Sequence, residues 1–154
     1  MPRIAPALPS EIDEVRALFL EYAALVREAL CFQGFDAELA GLPGAYAPPG
    51  GALLLARDAE GPAGCVALRR LPDGSAEMKR LFVRDRCRGA GLGRRLALAA
   101  IDEARRAGSP RIVLDTLPKL SAAIALYRDI GFREIPPYLA EPTPGAPCFG
   151  LSLS

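Results

Sequence analysis

Residues 76–115 constrain the fold more than any other stretch of the chain. An apolar run, AEMKRLFV (76–83), passes through RDRCRGAG (84–91) into LGRRLALAAIDEARRAG (92–108), and RIVLD (111–115) follows. Leu92, Leu96, Ala100 and Ala104 recur at helical spacing, and Gly108 and Pro110 supply a stop. Strand, glycine turn, helix and strand make a βαβ unit, whose two strands run parallel. The turn carries glycines at 89, 91 and 93, set between arginines. The first amides of a helix have no intrahelical acceptor and sit at the positive end of its dipole. A strand-to-helix turn stripped of β-carbons therefore suits a phosphate, and Arg88, Arg94 and Arg95 can add charge-assisted hydrogen bonds. The plain alternative for the same residues is a solvated loop, with the glycines as punctuation.

The remaining elements follow from local pattern. Residues 3–7 read as a short edge strand. Ser10 precedes Glu11, Asp13 and Glu14, which suit a helix start, and Val15, Leu18, Phe19, Tyr22, Leu25, Val26, Ala29 and Leu30 continue as one apolar face. A short helix is predicted over 36–41, before LPGAYAPPGG breaks the chain. Residues 51–58, 64–71 and 76–83 read as a three-stranded antiparallel meander, separated by turns at 59–62 and 72–74. Ala123, Leu126, Tyr127 and Ile130 define a last helix stopped at Gly131, and FREI and 148–154 close the sheet. With no internal repeat or linker, residues 1–154 are expected to form one domain.

Composition narrows the chemistry. The chain contains no histidine, and Cys31, Cys65, Cys87 and Cys148 are scattered without a C-x-x-C pair. Zinc is not expected, nor any metal, and Ser-His or Cys-His nucleophilic machinery is excluded. The four thiols are expected reduced, mostly as small core residues. The apolar segments are short, and residues 1–20 lack a secretory pattern, which predicts a cytoplasmic protein without membrane partners. Net charge is only +1, yet residues 79–95 hold seven basic side chains against the single acid Asp85. A local patch beside a glycine loop suits a compact anion, and nucleic acid is not an expected partner.

Neither the mononucleotide nor the dinucleotide glycine motif fits the spacing G-x-G-x-G. Arg88-Gly89-Ala90-Gly91-Leu92-Gly93 instead resembles the Q/R-x-x-G-x-G/A signature of the GNAT superfamily of N-acetyltransferases, and Arg86 to Gly91 matches it in an overlapping frame. AIALYRDIGF, with Ala123, Tyr127, Gly131 and Phe132, resembles a second family pattern. Leu120 departs from it, standing where many relatives carry an asparagine.

The resemblance implies an α/β fold. Its sheet is mixed and mostly antiparallel, of six or seven strands with helices on both faces, and its fourth and fifth strands are splayed, after a bulge in the fourth, around acetyl-coenzyme A. It implies that Arg88, Gly89, Ala90, Gly91, Leu92, Gly93 and Arg94 grip the pyrophosphate. Backbone near Leu81, Phe82 and Val83 would pair with the pantetheine arm. Tyr127 would protonate the leaving thiolate, and Glu77 would take the amine's proton, directly or through water. Each also has a structural reading, Tyr127 as a core residue and Glu77 as a partner of Lys79.

The expected acceptor is a primary amine on a small molecule. The alternatives are a peptide or protein amine, or a regulatory module that binds coenzyme A without turnover. LPGAYAPPGG and PPYLAEPTPGAP are expected to cover the acceptor site, with Tyr46, Tyr138, Glu134 and Glu141 as candidate contacts. Pairing of two copies through the C-terminal strands is a further expectation from the family.

Overall fold

The computed structural model describes residues 1–26 and 34–153. Seven strands form one sheet in the order β1-β2-β3-β4-β5-β7-β6. They are β1 (Arg3–Pro6), β2 (Ala52–Asp58), β3 (Gly61–Arg70), β4 (Ala76–Val83), β5 (Arg111–Asp115), β6 (Arg133–Ile135) and β7 (Cys148–Ser152). The β4–β5 pair is parallel, as the βαβ pattern requires, and every other pair is antiparallel.

Four helices cover the two faces: α1 (Ile12–Val26), α2 (Phe35–Ala40), α3 (Leu92–Arg106) and α4 (Ser121–Ile130). One core joins α3 and Tyr127 of α4 to Ala76 and Met78 of β4 and to Ile112 and Leu114 of β5. The other joins Val15, Leu18 and Phe19 of α1 and Phe35 of α2 to Leu53, Leu55, Cys65 and Phe82 on the opposite face. Ala29, Leu30 and Cys31 lie outside the described residues; Cys65 and Cys148 are buried and Cys87 is half-buried. Among the described residues no helix is long and apolar enough to cross a membrane.

Two details of the sheet matter for the site, the first a departure from the sequence reading and the second not. β3 begins at Gly61, not at residue 64, because Asp58 pairs directly with Gly61 and only residues 59–60 form the turn. Ala59 and Glu60 keep negative φ, and the positive φ of this connection falls on Gly61 directly after them, at +112°. Within β4, Cys65 faces Phe82 but Ala67 faces Lys79, so β4 carries one extra residue in that interval. This is a β-bulge, and Arg80 within it has φ +60°, the only non-glycine among the described residues with positive φ. The bulge reverses the facing of β4: Met78 belongs to the α3 side, and beyond the bulge Phe82 belongs to the α1 side.

Gly64 lets α3 settle close to the sheet. A β-carbon there would stand 2.6 Å from the Phe82 carbonyl oxygen and 3.2 Å from Leu96 Cδ1. Backbone cannot yield as a flexible side chain does. Gly64→Ala is therefore expected to lower the unfolding free energy by about 1–3 kcal/mol in urea titration.

Candidate active site

Pairing between β4 and β5 covers only Ala76↔Ile112 and Glu77↔Val113. Beyond Glu77 the strands separate, and the edge of β4 that faces β5 has no strand partner. Lys79, Leu81, Leu114, Asp115, Leu120 and Tyr127 line the gap. Such an open edge can accept an extended ligand as an added strand.

The bulge is held from the α2 side. Arg80 is buried and donates from Nε and Nη2 to the two carboxylate oxygens of Glu38, at 2.9 and 2.8 Å. Its guanidinium also sits 5.3 Å from the Phe35 ring centre. A bidentate pair with a ring beneath it fixes this residue in a backbone region that branched or bulky side chains avoid.

At the other end of the gap the chain leaves Val83, makes one 3-10 turn over Asp85–Cys87 and enters α3 with Gly91 as its N-cap. Gly89 and Gly91 have φ +83° and +81°, and a β-carbon on either would meet no other atom within 4 Å. Residues 88–91 are exposed. Among the described residues the amides of 89–94 donate no backbone hydrogen bond. The turn is thus a row of free donors with open space before its glycines, which fits a pyrophosphate.

The predicted contacts divide by role. Leu92 is buried in the α3 core, so only its backbone faces the turn. Gly93 lies in the first helical turn, where a β-carbon would stand 3.7 Å from Leu126 and 3.8 Å from Val83. That is ordinary packing distance, so Gly93 is less constrained than the two glycines before it.

The arginines are more heavily engaged than their sequence spacing suggests. Arg84 pairs with Glu21, Arg86 with Asp58 and Glu60, and Arg94 with Asp129 of α4. Arg95 turns away to the Pro2 carbonyl at 2.8 Å. Arg88 stays beside the turn, with Nε on the Val83 carbonyl at 3.0 Å and Nη1 paired with the exposed Asp85 at 2.5 Å. The basic run is therefore largely a set of struts, and the turn's attraction for anions rests first on its amides, with Arg88 beside them held by the exposed Asp85 and a carbonyl.

Tyr127 lines the gap and is 6% exposed, its ring packed at 5.8 Å against Phe132. Its hydroxyl makes no hydrogen bond among the described residues. Burial raises the phenol pKa above its ordinary value, so it is a proton donor throughout the neutral range.

Glu77 is fully buried and partnered by other groups than Lys79. Arg69, opposite it in the β3–β4 hairpin, donates from Nε at 2.6 Å, and the Tyr138 hydroxyl donates to its other oxygen at 2.6 Å. Burial, then the nearby Glu77 carboxylate, raises the Tyr138 pKa. Asp115 at the end of β5 has its pKa raised by burial, with Lys79 opposing.

An open cleft of about 720 Å³ lies beside the bulge, between residues 41–46 and 139–141. The two segments expected to cover an acceptor site are those that flank it. Tyr46 and Glu141 line the cleft, and Tyr138, next in the chain to the lining residue Leu139, bonds to Glu77. Glu134 does not line it: it lies on β6, 3.4 Å from Arg128. Sequence reasoning missed Arg69 and Asp115 at this site. Counting back from the turn at 72–74 places Arg69 across from Glu77, which was the available signal.

These features define a layered α/β protein whose sheet is split beside a row of free amides. The chain belongs to the acetyltransferase (GNAT) family, whose profile matches residues 13–132. It is 40% identical over 152 residues to an uncharacterized N-acetyltransferase of Schizosaccharomyces pombe, covering 97% of this chain and 93% of the relative. An acetyltransferase of the GNAT family from Staphylococcus aureus shares the fold at TM-score 0.84 and 21% identity, with both chains fully covered. A Salmonella typhimurium protein solved with its cofactor acetyl-CoA does so at TM-score 0.79 and 22% identity, over 100% of this chain and 95% of that one. The chain is an N-acetyltransferase by family.

Proposed function

We propose that this chain transfers an acetyl group from acetyl-coenzyme A to a primary amine of a small molecule, without an acyl-enzyme. The observation that carries the reading is the split between β4 and β5, with Tyr127 lining it and undonated amides at 89–94. The Arg88, Gly89, Ala90, Gly91, Leu92, Gly93 and Arg94 segment would hold the pyrophosphate, and the edge of β4 at Leu81, Phe82 and Val83 the pantetheine arm. When bound, the carrier supplies an acyl group activated as a thioester.

A nitrogen–acyl bond forms and a carbon–sulfur bond breaks, while one proton leaves the nitrogen and one reaches the sulfur. Tyr127 donates the second proton. Glu77 has no exposed surface and both its oxygens are occupied, so it receives the amine's proton at one remove. The Tyr138 hydroxyl, which already donates to Glu77 Oε2, relays it. The two segments that flank the cleft, 41–46 and 139–141, lie where they would contact a small acceptor on both sides.

The test is release of free thiol from acetyl-coenzyme A across a panel of amines, amino acids and peptides, with calorimetry for binding. Binding without release for any acceptor would overturn the enzymatic reading in favour of a regulatory module. Gly91→Val is expected to weaken acetyl-coenzyme A at least tenfold in calorimetry. The added branches strain a backbone at φ +81° and crowd the free amides. Gly93→Ala, at ordinary packing distance, is expected to change the affinity less than threefold.

A further inference from the structure

The cleft beside the bulge contains two cationic side chains whose free donors have no protein acceptor. Arg69 is anchored by Nε to Glu77 Oε1 at 2.6 Å, an attachment that fixes the guanidinium plane. Its two terminal nitrogens have no hydrogen-bond partner among the described residues, and the side chain stays 33% exposed at the cleft wall. Lys79, two residues beyond Glu77, lines both the cleft and the gap between the strands. Its side chain forms no ion pair or hydrogen bond among the described residues. Burial lowers its pKa, and the nearby Glu77 carboxylate opposes that shift.

Among the described residues no acid forms an ion pair with Lys79, and Glu77 meets Arg69 only through Nε. Glu77 has both oxygens occupied, by Arg69 and Tyr138. Glu38 has both occupied by Arg80. Asp115 lies across the gap without an ion pair to Lys79, and Glu141 stands exposed at the rim. An ammonium drawn into partial burial without a partner is unfavourable, and an anionic ligand relieves that cost. A guanidinium held by Nε presents its two terminal NH2 groups as a fork, the donor geometry that matches a carboxylate.

We propose that the acceptor amine carries a carboxylate, held by the terminal nitrogens of Arg69 with Lys79 beside it, so that the substrate class is small amino acids. This rests on the acetyl-transfer reading of the same site. A peptide or protein amine has no carboxylate next to its reacting nitrogen, and a simple alkylamine leaves Lys79 and the terminal nitrogens of Arg69 without an acceptor.

The experiment compares a set of L-α-amino acids with their methyl esters and decarboxylated amines, by thiol release from acetyl-coenzyme A. The expected result is a kcat/KM for the acids at least tenfold above that of either neutral counterpart, since a lost charge-assisted contact is worth about tenfold. In Lys79→Gln that acid-to-ester ratio falls about tenfold through KM, and Lys79→Arg restores most of it. Lysine is chosen because removing Arg69 would also unpair buried Glu77. Equal kcat/KM for acids and esters, with transfer intact, overturns the carboxylate site alone. If no acceptor releases thiol, the acetyl-transfer reading falls instead. The carboxylate site is then judged by thermal shift with N-acetyl amino acids against their methyl esters. Stabilisation by the acids only supports it, and equal shifts overturn it.

Discussion

Tyr127→Phe is expected to lower turnover about a hundredfold while leaving the unfolding midpoint unchanged or slightly higher. The two halves of that expectation come from one observation. The ring is packed in the α3 core against Phe132, but its hydroxyl has no hydrogen bond among the described residues. A phenylalanine keeps every apolar contact and removes a hydroxyl that has no hydrogen-bond partner in the protein, so the fold loses little. A proton donor to a leaving thiolate typically contributes about 10²–10⁴-fold. Most core tyrosines show the reverse, with stability falling and activity following it. Steady-state kcat together with thermal melts separates the cases, and a kcat within threefold of the parent would remove Tyr127 from the reaction. The pH dependence of stability has a definite sign. Folding raises this phenol's pKa, so the contribution is complete below the unfolded value near 10 and is lost as pH rises above it. The difference in melting temperature between the parent and Tyr127→Phe should therefore change with pH only on the alkaline side of that value.

The order of elements was legible in the sequence because each depends on local pattern. Leu92, Leu96, Ala100 and Ala104 mark the buried stripe of α3, and all four are buried. The parallel β4–β5 pair followed from the strand–helix–strand order alone. The bulge was different. By resemblance a bulge in the fourth strand was expected, but nothing in AEMKRLFV marks Arg80 as the residue that takes positive φ. Its cause is distant in sequence: Glu38 and Phe35, some forty residues earlier, fix the side chain that stabilises the distorted backbone.

The partners of the basic run were equally invisible. Arg84, Arg86 and Arg94 look alike in sequence, and only the fold brings Glu21, Asp58 and Asp129 to them. Spacing reported where positive charge was concentrated, but not how much of it remained unspent. Glu77 shows the same limit. A carboxylate two residues from a lysine on a strand reads as a pair, yet the hairpin register puts Arg69 closer, and Tyr138 arrives from 61 residues away.

Removal of that carboxylate is the second large effect. Glu77→Ala is expected to lower the unfolding free energy by about 3 kcal/mol or more, as breaking a buried ion pair does. The carboxylate has no exposed surface and joins three segments: β3 through Arg69, β4 through its own backbone, and the 136–147 segment through Tyr138. Arg69 reaches water and can be partly resolvated, which limits the loss on that side. Tyr138 is left with a half-buried hydroxyl and the core with a cavity, and both add to the cost. Glu77→Gln keeps the volume and one acceptor oxygen, so it should lose less stability, about 1–2 kcal/mol. The glutamine variant then isolates the chemistry. If Glu77 receives the amine's proton through Tyr138, Glu77→Gln loses at least tenfold in kcat, and added buffer base restores part of the lost rate. If the carboxylate only braces the cleft, the rate does not respond to buffer. Urea titration of both variants with a buffer-concentration series on Glu77→Gln gives both answers, and a Glu77→Ala protein as stable as the parent would show that the three segments do not depend on this contact.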